Sequence, residues 1–386
     1  LEAAEAQLPL RNLNVIVSPV QDIRGTFDLM PTSSEEDWAT IAIRLNGVSA
    51  ALAGYRETLR AGIANSTTPA IRQVREVASQ AARHGAVDGF FSTLVARATT
   101  VPVSLRRELS LSAAHAAEAY GELSEFLTEE LAPAATIEDA VGREHYALAS
   151  RGFLGAVVDL DESYEWGVEE LALMTEEQER VAKEIVSGGS VAEAIAVLDA
   201  DPQRILHGTA SLQQWMQETS DRALAELAGT HFTIPQELQR LDCMIAPTHE
   251  GKIYYTGPSD DFSRPGQMWW SVPQGVTEFN TWRELTTVYH EGVPGHHLQM
   301  GTGVVNRDSL NTWRRQLAFT SGHAEGWALY AERLMEQLGY LDDPASRLGM
   351  LDAQRMRAAR VVVDLGVHLG KQRPDRGGVW DAGYAL

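Results

Sequence analysis

Three imidazoles and a carboxylate fall within the stretch Tyr289-His290-Glu291-Gly292-Val293-Pro294-Gly295-His296-His297-Leu298-Gln299 of this 386-residue chain. A second stretch follows, Ser321-Gly322-His323-Ala324-Glu325-Gly326-Trp327-Ala328-Leu329-Tyr330-Ala331-Glu332. Imidazole nitrogens and a carboxylate oxygen are the donors that zinc takes, and a hydrolytic zinc keeps one further position for water. A carboxylate that is not a ligand then serves as general base. The two stretches together suit one zinc per chain. His290, a later histidine and Glu325 would be its ligands, with Glu291 as the base.

The spacing departs from the common pattern. In H-E-x-x-H the histidines stand at i and i+4 on one helix face. Counting from His290, position i+4 is Pro294, and the next histidines are at i+6 and i+7. On a straight helix i+6 points about 120° away and i+7 lies roughly 10 Å along the axis. Gly292, Pro294 and Gly295 break a helix, and the residue before a proline is biased out of helical geometry. A break there would carry a later histidine back over His290. His296 is the first choice for second ligand, because Gly295-His296 then ends an expanded H-E-x-G-H motif. His297 is the alternative, and otherwise supports a ligand or faces substrate. His323 is an alternative ligand, a partner of a ligand, or a helix-start residue. A lone histidine on a helix is most often structural; three around a Pro-Gly break are a different matter.

These groups need elements to hold them. Asn280 to Tyr289 reads as the helix that delivers His290. Before it, Lys252–Tyr255 and Gln267–Val272 read as short strands joined by a Gly/Pro/Ser/Asp loop. An edge strand beside a metal pairs with an extended substrate backbone, and Met268–Val272 is the candidate, with a plain structural hairpin as the bland alternative. Tyr255, Trp269 and Trp270 are candidates to line a substrate cleft, and Arg264 to meet a substrate carboxylate. After the second stretch, Arg357, Arg360, Asp364 and His368 fall on one helical stripe among apolar Val361, Val362, Val363, Leu365 and Val367. A buried polar stripe needs partners. Asp364 is expected to orient an active-site group, His368 to donate to a developing oxyanion, and Arg360 to contact substrate.

The rest of the chain reads as scaffold. Residues 1 to about 32 read as an extended leader. Ser33-Ser34-Glu35-Glu36 is a helix start, followed by Trp38, Ile41, Leu45, Val48, Leu52, Tyr55 and Leu59 at helical spacing. Thr68-Pro69 caps a second helix that stops at Gly85. A third runs from Pro102 to Leu131, with His115 as a structural residue. Further helix pattern covers 139 to 186, where the acidic run Asp159–Glu179 is a solvated face, and Thr209 to Leu227. The expectation is a mainly α fold with a small β-hairpin beside the metal site. It comprises a helical scaffold over 1–245 and a metal-site region over 246–386, in one continuous unit.

Composition excludes several classes. A formal charge of −21 argues against nucleic-acid and anionic-membrane partners, which select basic surfaces. It favours cationic or neutral substrates. The single Cys243 allows no intrachain disulfide. No apolar run approaches the roughly 18 residues of a membrane span. The expected location is the cytoplasm, with a removed signal or lipoprotein leader as the alternative, since the chain starts at Leu1.

The same residues resemble a bacterial family catalogued as domain of unknown function 885. The likeness covers nearly the whole chain: Tyr120–Phe126, the Pro258–Gly266 loop, Tyr289–Gln299, Gly322–Glu332 and Arg360–His368. That family is similar in turn to the mostly helical gluzincin peptidases, such as angiotensin-converting enzyme and the thermostable carboxypeptidases. The similarity implies a large helical gluzincin-like fold in which His290, His296 and Glu325 hold zinc and Glu291 activates water. Family members usually run on past the Asp364–His368 helix, so the chain reads as a fragment or processed form. The implied function is a zinc metallopeptidase cleaving peptide bonds. A small-molecule amidase with the same centre and an inactive helical binding protein are the alternatives.

Overall fold

The computed structural model describes residues 2–247, 252–375 and 377–385. The chain divides into two units, Leu1–Val141 and Gly142–Leu386.

In the first unit the stretch expected as an extended leader is instead a series of short helical turns: Glu2–Glu5, Leu8–Arg11, Pro19–Gly25 and Thr26–Leu29. Pro9 and Pro19 stand in the first turn of their segments, where a missing N–H costs nothing. Leu13, Val20 and Phe27 are buried, so burial rather than propensity folds this stretch. Helix α1 (Glu35–Ala64) starts at Ser34, whose side chain accepts from Asp37 N–H while Asp37 returns the bond, a reciprocal cap worth about 1 kcal/mol. The whole stripe from Trp38 to Leu59 is buried. Helix α2 (Ile71–Gly85) has Ala70 at its cap. Thr68, expected in that role, donates its hydroxyl to the Ala134 carbonyl instead. Helices α3 (Phe90–Ala96) and α4 (Val103–Phe126) complete the unit, and α4 runs on through a wider turn at Leu127–Leu131. Tyr120 O–H donates to the Val20 carbonyl at 2.7 Å, tying the N-terminal turns to α4.

The second unit carries every candidate site residue. It contains α5 (Arg143–Leu154), α6 (Leu160–Ile185), α7 (Val191–Asp199), β1 (Ile205–His207), α8 (Gly208–Leu227), β2 (Leu241–Ile245), β3 (Ile253–Thr256), β4 (Gly266–Trp270) and β5 (Glu278–Asn280). Then come α9 (Thr281–Glu291), α10 (His296–Val305), α11 (Thr312–Gln316), α12 (Ser321–Gln337) and α13 (Pro344–Leu369). Helix α9 packs on both α12 and α13. The α9–α13 crossing is backbone on backbone, because a Cβ on Gly349 would stand 1.9 Å from the Trp282 carbonyl oxygen. The fold is mainly helical, and among the described residues no helix is long and apolar enough to cross a membrane.

The strands form an antiparallel β1–β5 pair and a sheet ordered β2-β4-β3. β3 and β4 form the expected hairpin, antiparallel with Tyr255 opposite Met268. β2, not foreseen, lies parallel to β4 with Cys243 opposite Met268. Met268–Trp270 is therefore central. Both its edges are occupied, so it does not serve as the edge strand expected from sequence; within this sheet β3 and β2 are outermost. The boundary expected at 245 falls at the end of β2, whose partner β4 lies beyond it. A sheet thus spans that point, and the observed division is at Val141.

Candidate metal centre

Helix α9 ends where the sequence breaks it. Gly292 N–H closes the last turn on the Val288 carbonyl at 2.9 Å. The chain then folds back: Gly295 N–H donates to the Tyr289 carbonyl at 3.1 Å, and His297 N–H to the Gly292 carbonyl at 3.1 Å. Gly295 is pressed so tightly on the end of α9 that a Cβ would stand 1.9 Å from the His290 carbonyl oxygen. The new helix α10 opens on His296, and its ring arrives over His290, with centroids 4.9 Å apart and planes at 89°. Helix α12 supplies the third group. Its Trp327 N–H donates to the Pro294 carbonyl at 2.8 Å, fastening α12 to the fold-back.

His290, His296 and Glu325 each offer a donor atom, and the three lie within 4.8 Å of one another. His290 Nε2 is 3.3 Å from Glu325 Oε2, and His296 Nε2 is 3.7 Å from Glu325 Oε1. Both histidines are buried, whereas the Glu325 side chain is 52% exposed. The cluster therefore opens to solvent on the α12 side. Two nitrogens and one carboxylate oxygen suit a divalent ion such as zinc and leave a position for water. Glu291 is buried beside them, and its Oε2 has no hydrogen-bond partner among the described residues. An unpartnered buried carboxylate oxygen is costly, and a water or substrate proton would satisfy it.

The charges follow from this crowding. Burial pushes the Glu291 carboxyl up to about 7; the His290 charge opposes the shift, and Glu325 and Glu332 add to it. Burial disfavours the His290 imidazolium, yet Glu325 and Glu332 outweigh it and raise its pKa to about 9. His296 is pushed down to about 4 by burial and then by the His290 charge. The hydrogen bond from His290 holds Glu325 below the usual carboxylate range.

The remaining candidates sort by contact. His297 turns away from the cluster: its Nε2–H donates to the Leu238 carbonyl at 2.8 Å and its Nδ1 accepts from Tyr255 O–H at 2.9 Å. Tyr255 thus supports His297 rather than lining open space. His323 is exposed, and Gln299 Nε2 donates to its carbonyl at 3.1 Å. Trp269 N–H donates to Thr256 Oγ1 at 3.1 Å within the sheet, and Trp270 is core. Arg264 donates to the Gly257 carbonyl at 2.7 Å and the Pro265 carbonyl at 3.2 Å, bracing its own loop.

Asp364 and His368 form a group with Tyr146. Tyr146 O–H donates to Asp364, His368 Nε2 is 3.6 Å from Asp364 Oδ1, and the Tyr146 and His368 rings are 5.4 Å apart. The residue of α13 that reaches the centre is Arg357, 3.7 Å from Glu332. Asp364, expected to orient an active-site group, partners Tyr146, and His368, expected at the oxyanion, stands beside both. Arg360, expected at substrate, is exposed on α13. Sequence reasoning passed over Glu332 and Thr286. Thr286 Oγ1 donates to Glu332 Oε2 at 2.7 Å, and Glu332 Oε1 meets His290 Nδ1 at 2.7 Å. The signal was available, because Glu332 falls seven residues after Glu325, two turns along one helix face.

Fold and cluster together define a mainly helical protein in which two buried histidines and one half-exposed glutamate converge. Over residues 1–385 the chain matches the family described as "Bacterial protein of unknown function (DUF885)", and it belongs to that family. No curated protein matches it in sequence. A Colwellia psychrerythraea structure described as a "putative lipoprotein" is similar with a TM-score of 0.79 at 22% identity, over 97% of this chain and 66% of that one. A Shewanella oneidensis "putative lipoprotein of unknown function" is similar with a TM-score of 0.58 at 15% identity, over 93% of this chain and 68% of that one. At these identities the likeness is one of fold. The chain spans about two thirds of each relative's length.

Proposed function

We propose that this protein is a metal-dependent hydrolase, with zinc as the ion and a peptide bond as the target. The observation that carries the reading is the convergence of His290, His296 and Glu325 within 4.8 Å, beside a buried Glu291 whose Oε2 has no partner among the described residues. The resemblance to the helical gluzincin peptidases supports the same assignment. His290, His296 and Glu325 would hold the zinc, which would supply a Lewis acid and acidify a water at the open position. Glu291 is raised toward neutrality, the range in which a carboxylate both accepts and returns a proton efficiently. It takes the proton of the attacking water and later delivers it to the leaving amine. The half-exposed side of Glu325 is where substrate enters.

The test begins with metal content per chain, measured by mass spectrometry on protein purified without added metal or chelator. Near one zinc per chain is expected. Glu291→Gln should keep the metal and lose at least 100-fold in turnover, the scale of general-base catalysis; Glu325→Ala should lose both. Retained turnover in Glu291→Gln sinks the base assignment. A screen of short peptides against non-peptide amides follows, and cleavage of the amides alone replaces the peptidase reading by the amidase one. The descriptions of both solved relatives leave a lipid-anchored location open beside the cytoplasmic one. Membrane fractionation of the full-length gene product tests it.

A further inference from the structure

Helix α12 grips one imidazole from both sides. Glu325 Oε2 stands 3.3 Å from His290 Nε2, and Glu332 Oε1 stands 2.7 Å from His290 Nδ1. The two carboxylates differ in exposure. Glu325 is half-exposed, whereas the Glu332 side chain is 0% exposed. Three helices converge on Glu332. Its Oε2 accepts from Thr286 Oγ1 at 2.7 Å, one turn before His290 on α9. Arg357 Nη2 on α13 stands 3.7 Å from Oε1.

A carboxylate taken wholly out of water is strongly unfavourable unless it is paired, and an apolar side chain of similar size would fill the same space at lower cost. Packing alone does not account for Glu332. Its hydrogen bonds do: each oxygen is used, and the one facing His290 meets the nitrogen that cannot be the metal donor. A carboxylate on the far nitrogen of a ligand histidine fixes which nitrogen carries the proton and how the ring is turned.

We infer that Glu332 is the positioning residue for His290, with Thr286 setting the rotation of its carboxylate and Arg357 balancing its charge. The inference rests on the metal-centre reading above. Glu332 accepts the proton on Nδ1, so Nε2 is left as the lone-pair nitrogen aimed at Glu325 and His296. One helix thereby supplies a ligand and, two turns later, the group that orients another ligand. Any shift of α12 moves both together.

The experiment uses the whole chain as wild type, Glu332→Gln, Glu332→Ala, Thr286→Val and Arg357→Gln. Zinc affinity is measured by competition with a chromophoric chelator. The protonated nitrogen of His290 is read by NMR on ¹⁵N-histidine-labelled protein, assigned with His290→Gln. Wild type should show a proton on Nδ1 of His290 in the zinc-loaded form. Glu332→Ala should weaken zinc roughly 10- to 100-fold, the usual effect of removing such a partner, and Glu332→Gln and Thr286→Val by less. In Glu332→Ala the Nδ1 proton should exchange with solvent and lose its signal. A purely structural Glu332 would leave that signal and the zinc affinity unchanged in every folded variant, which overturns the inference. Should Glu332→Ala fail to fold, Glu332→Gln and Thr286→Val decide by the same two readouts. If wild type itself takes up no zinc, the metal-centre reading fails. If wild type binds zinc and all the variants bind it equally well, the inference alone fails.

Discussion

His296 and His297 are adjacent, yet their surroundings assign them opposite work. His296 sits in the donor cluster, while both nitrogens of His297 are already hydrogen-bonded, to the Leu238 carbonyl and the Tyr255 hydroxyl. His296→Ala should therefore abolish zinc binding with a modest change in stability. His297→Ala should keep zinc near one per chain while losing about 1–3 kcal/mol, because two partners are left unmet in the core. Chelator competition and thermal melts separate the two, and loss of zinc in a folded His297→Ala would reverse the assignment. The choice between them was not legible in sequence. Residue types and spacing showed that a break could return a histidine over His290, but which one returns depends on hydrogen bonds to β3 and to the Leu238 region, both distant along the chain. That Glu325 would stand beside the histidines, by contrast, was legible from type and place alone.

The element that decides the site is the fold-back between α9 and α10. Gly295 has a negative φ of −72° and so is not left-handed, and space alone already demands glycine there: a Cβ would stand 1.9 Å from the His290 carbonyl oxygen. Gly295→Ala should force α10 off α9, lower the melting temperature, and weaken zinc at least tenfold by moving His296; unaltered zinc affinity would show that the break tolerates a side chain. Glu284, in the first turn of α9, tests the same helix through pH. Burial pushes its carboxyl up to about 7, with Arg283 and a hydrogen bond from Trp270 opposing. An unfolded glutamate titrates near 4.3, so between about 4.3 and 7 the folded state holds a proton that the unfolded state releases. Stability from this group falls as pH rises through that window, and the cost is complete above it. Glu284→Gln should stabilise the metal-free protein by about 1–3 kcal/mol at pH 8 and by almost nothing at pH 4. Equal effects at both pH values in denaturant titrations would refute this. Among the elements, the long helices were legible because an apolar stripe such as Trp38 to Leu59 announces itself. β2 was not, because its five residues mix Asp242 with Leu241 and Cys243, and its identity as a strand comes from β4 beside it.

At the scale of the molecule, 53 acidic residues face 32 basic ones. At the centre itself the proposed zinc and Arg357 would offset the three carboxylates Glu291, Glu325 and Glu332, so a negative field at the mouth would come from the acidic surplus around it. Such a field concentrates cations at the mouth of the site and repels anions. Its reach depends on salt, because the Debye length shrinks from about 30 Å at 0.01 M to about 8 Å at 0.15 M ionic strength. If the proposed hydrolase acts on peptides, kcat/KM for a peptide carrying two lysines should fall several-fold over that range. An isosteric peptide with two glutamines should change little, and one with two glutamates should rise. The measurement is made at saturating zinc, so that salt effects on metal affinity do not enter. Parallel slopes for all three peptides would mean that the acidic surplus lies away from the path of the substrate, serving solubility alone. Divergent slopes would place the half-exposed side of Glu325 within the negative field, and would make charge rather than shape the first filter on what reaches Glu291.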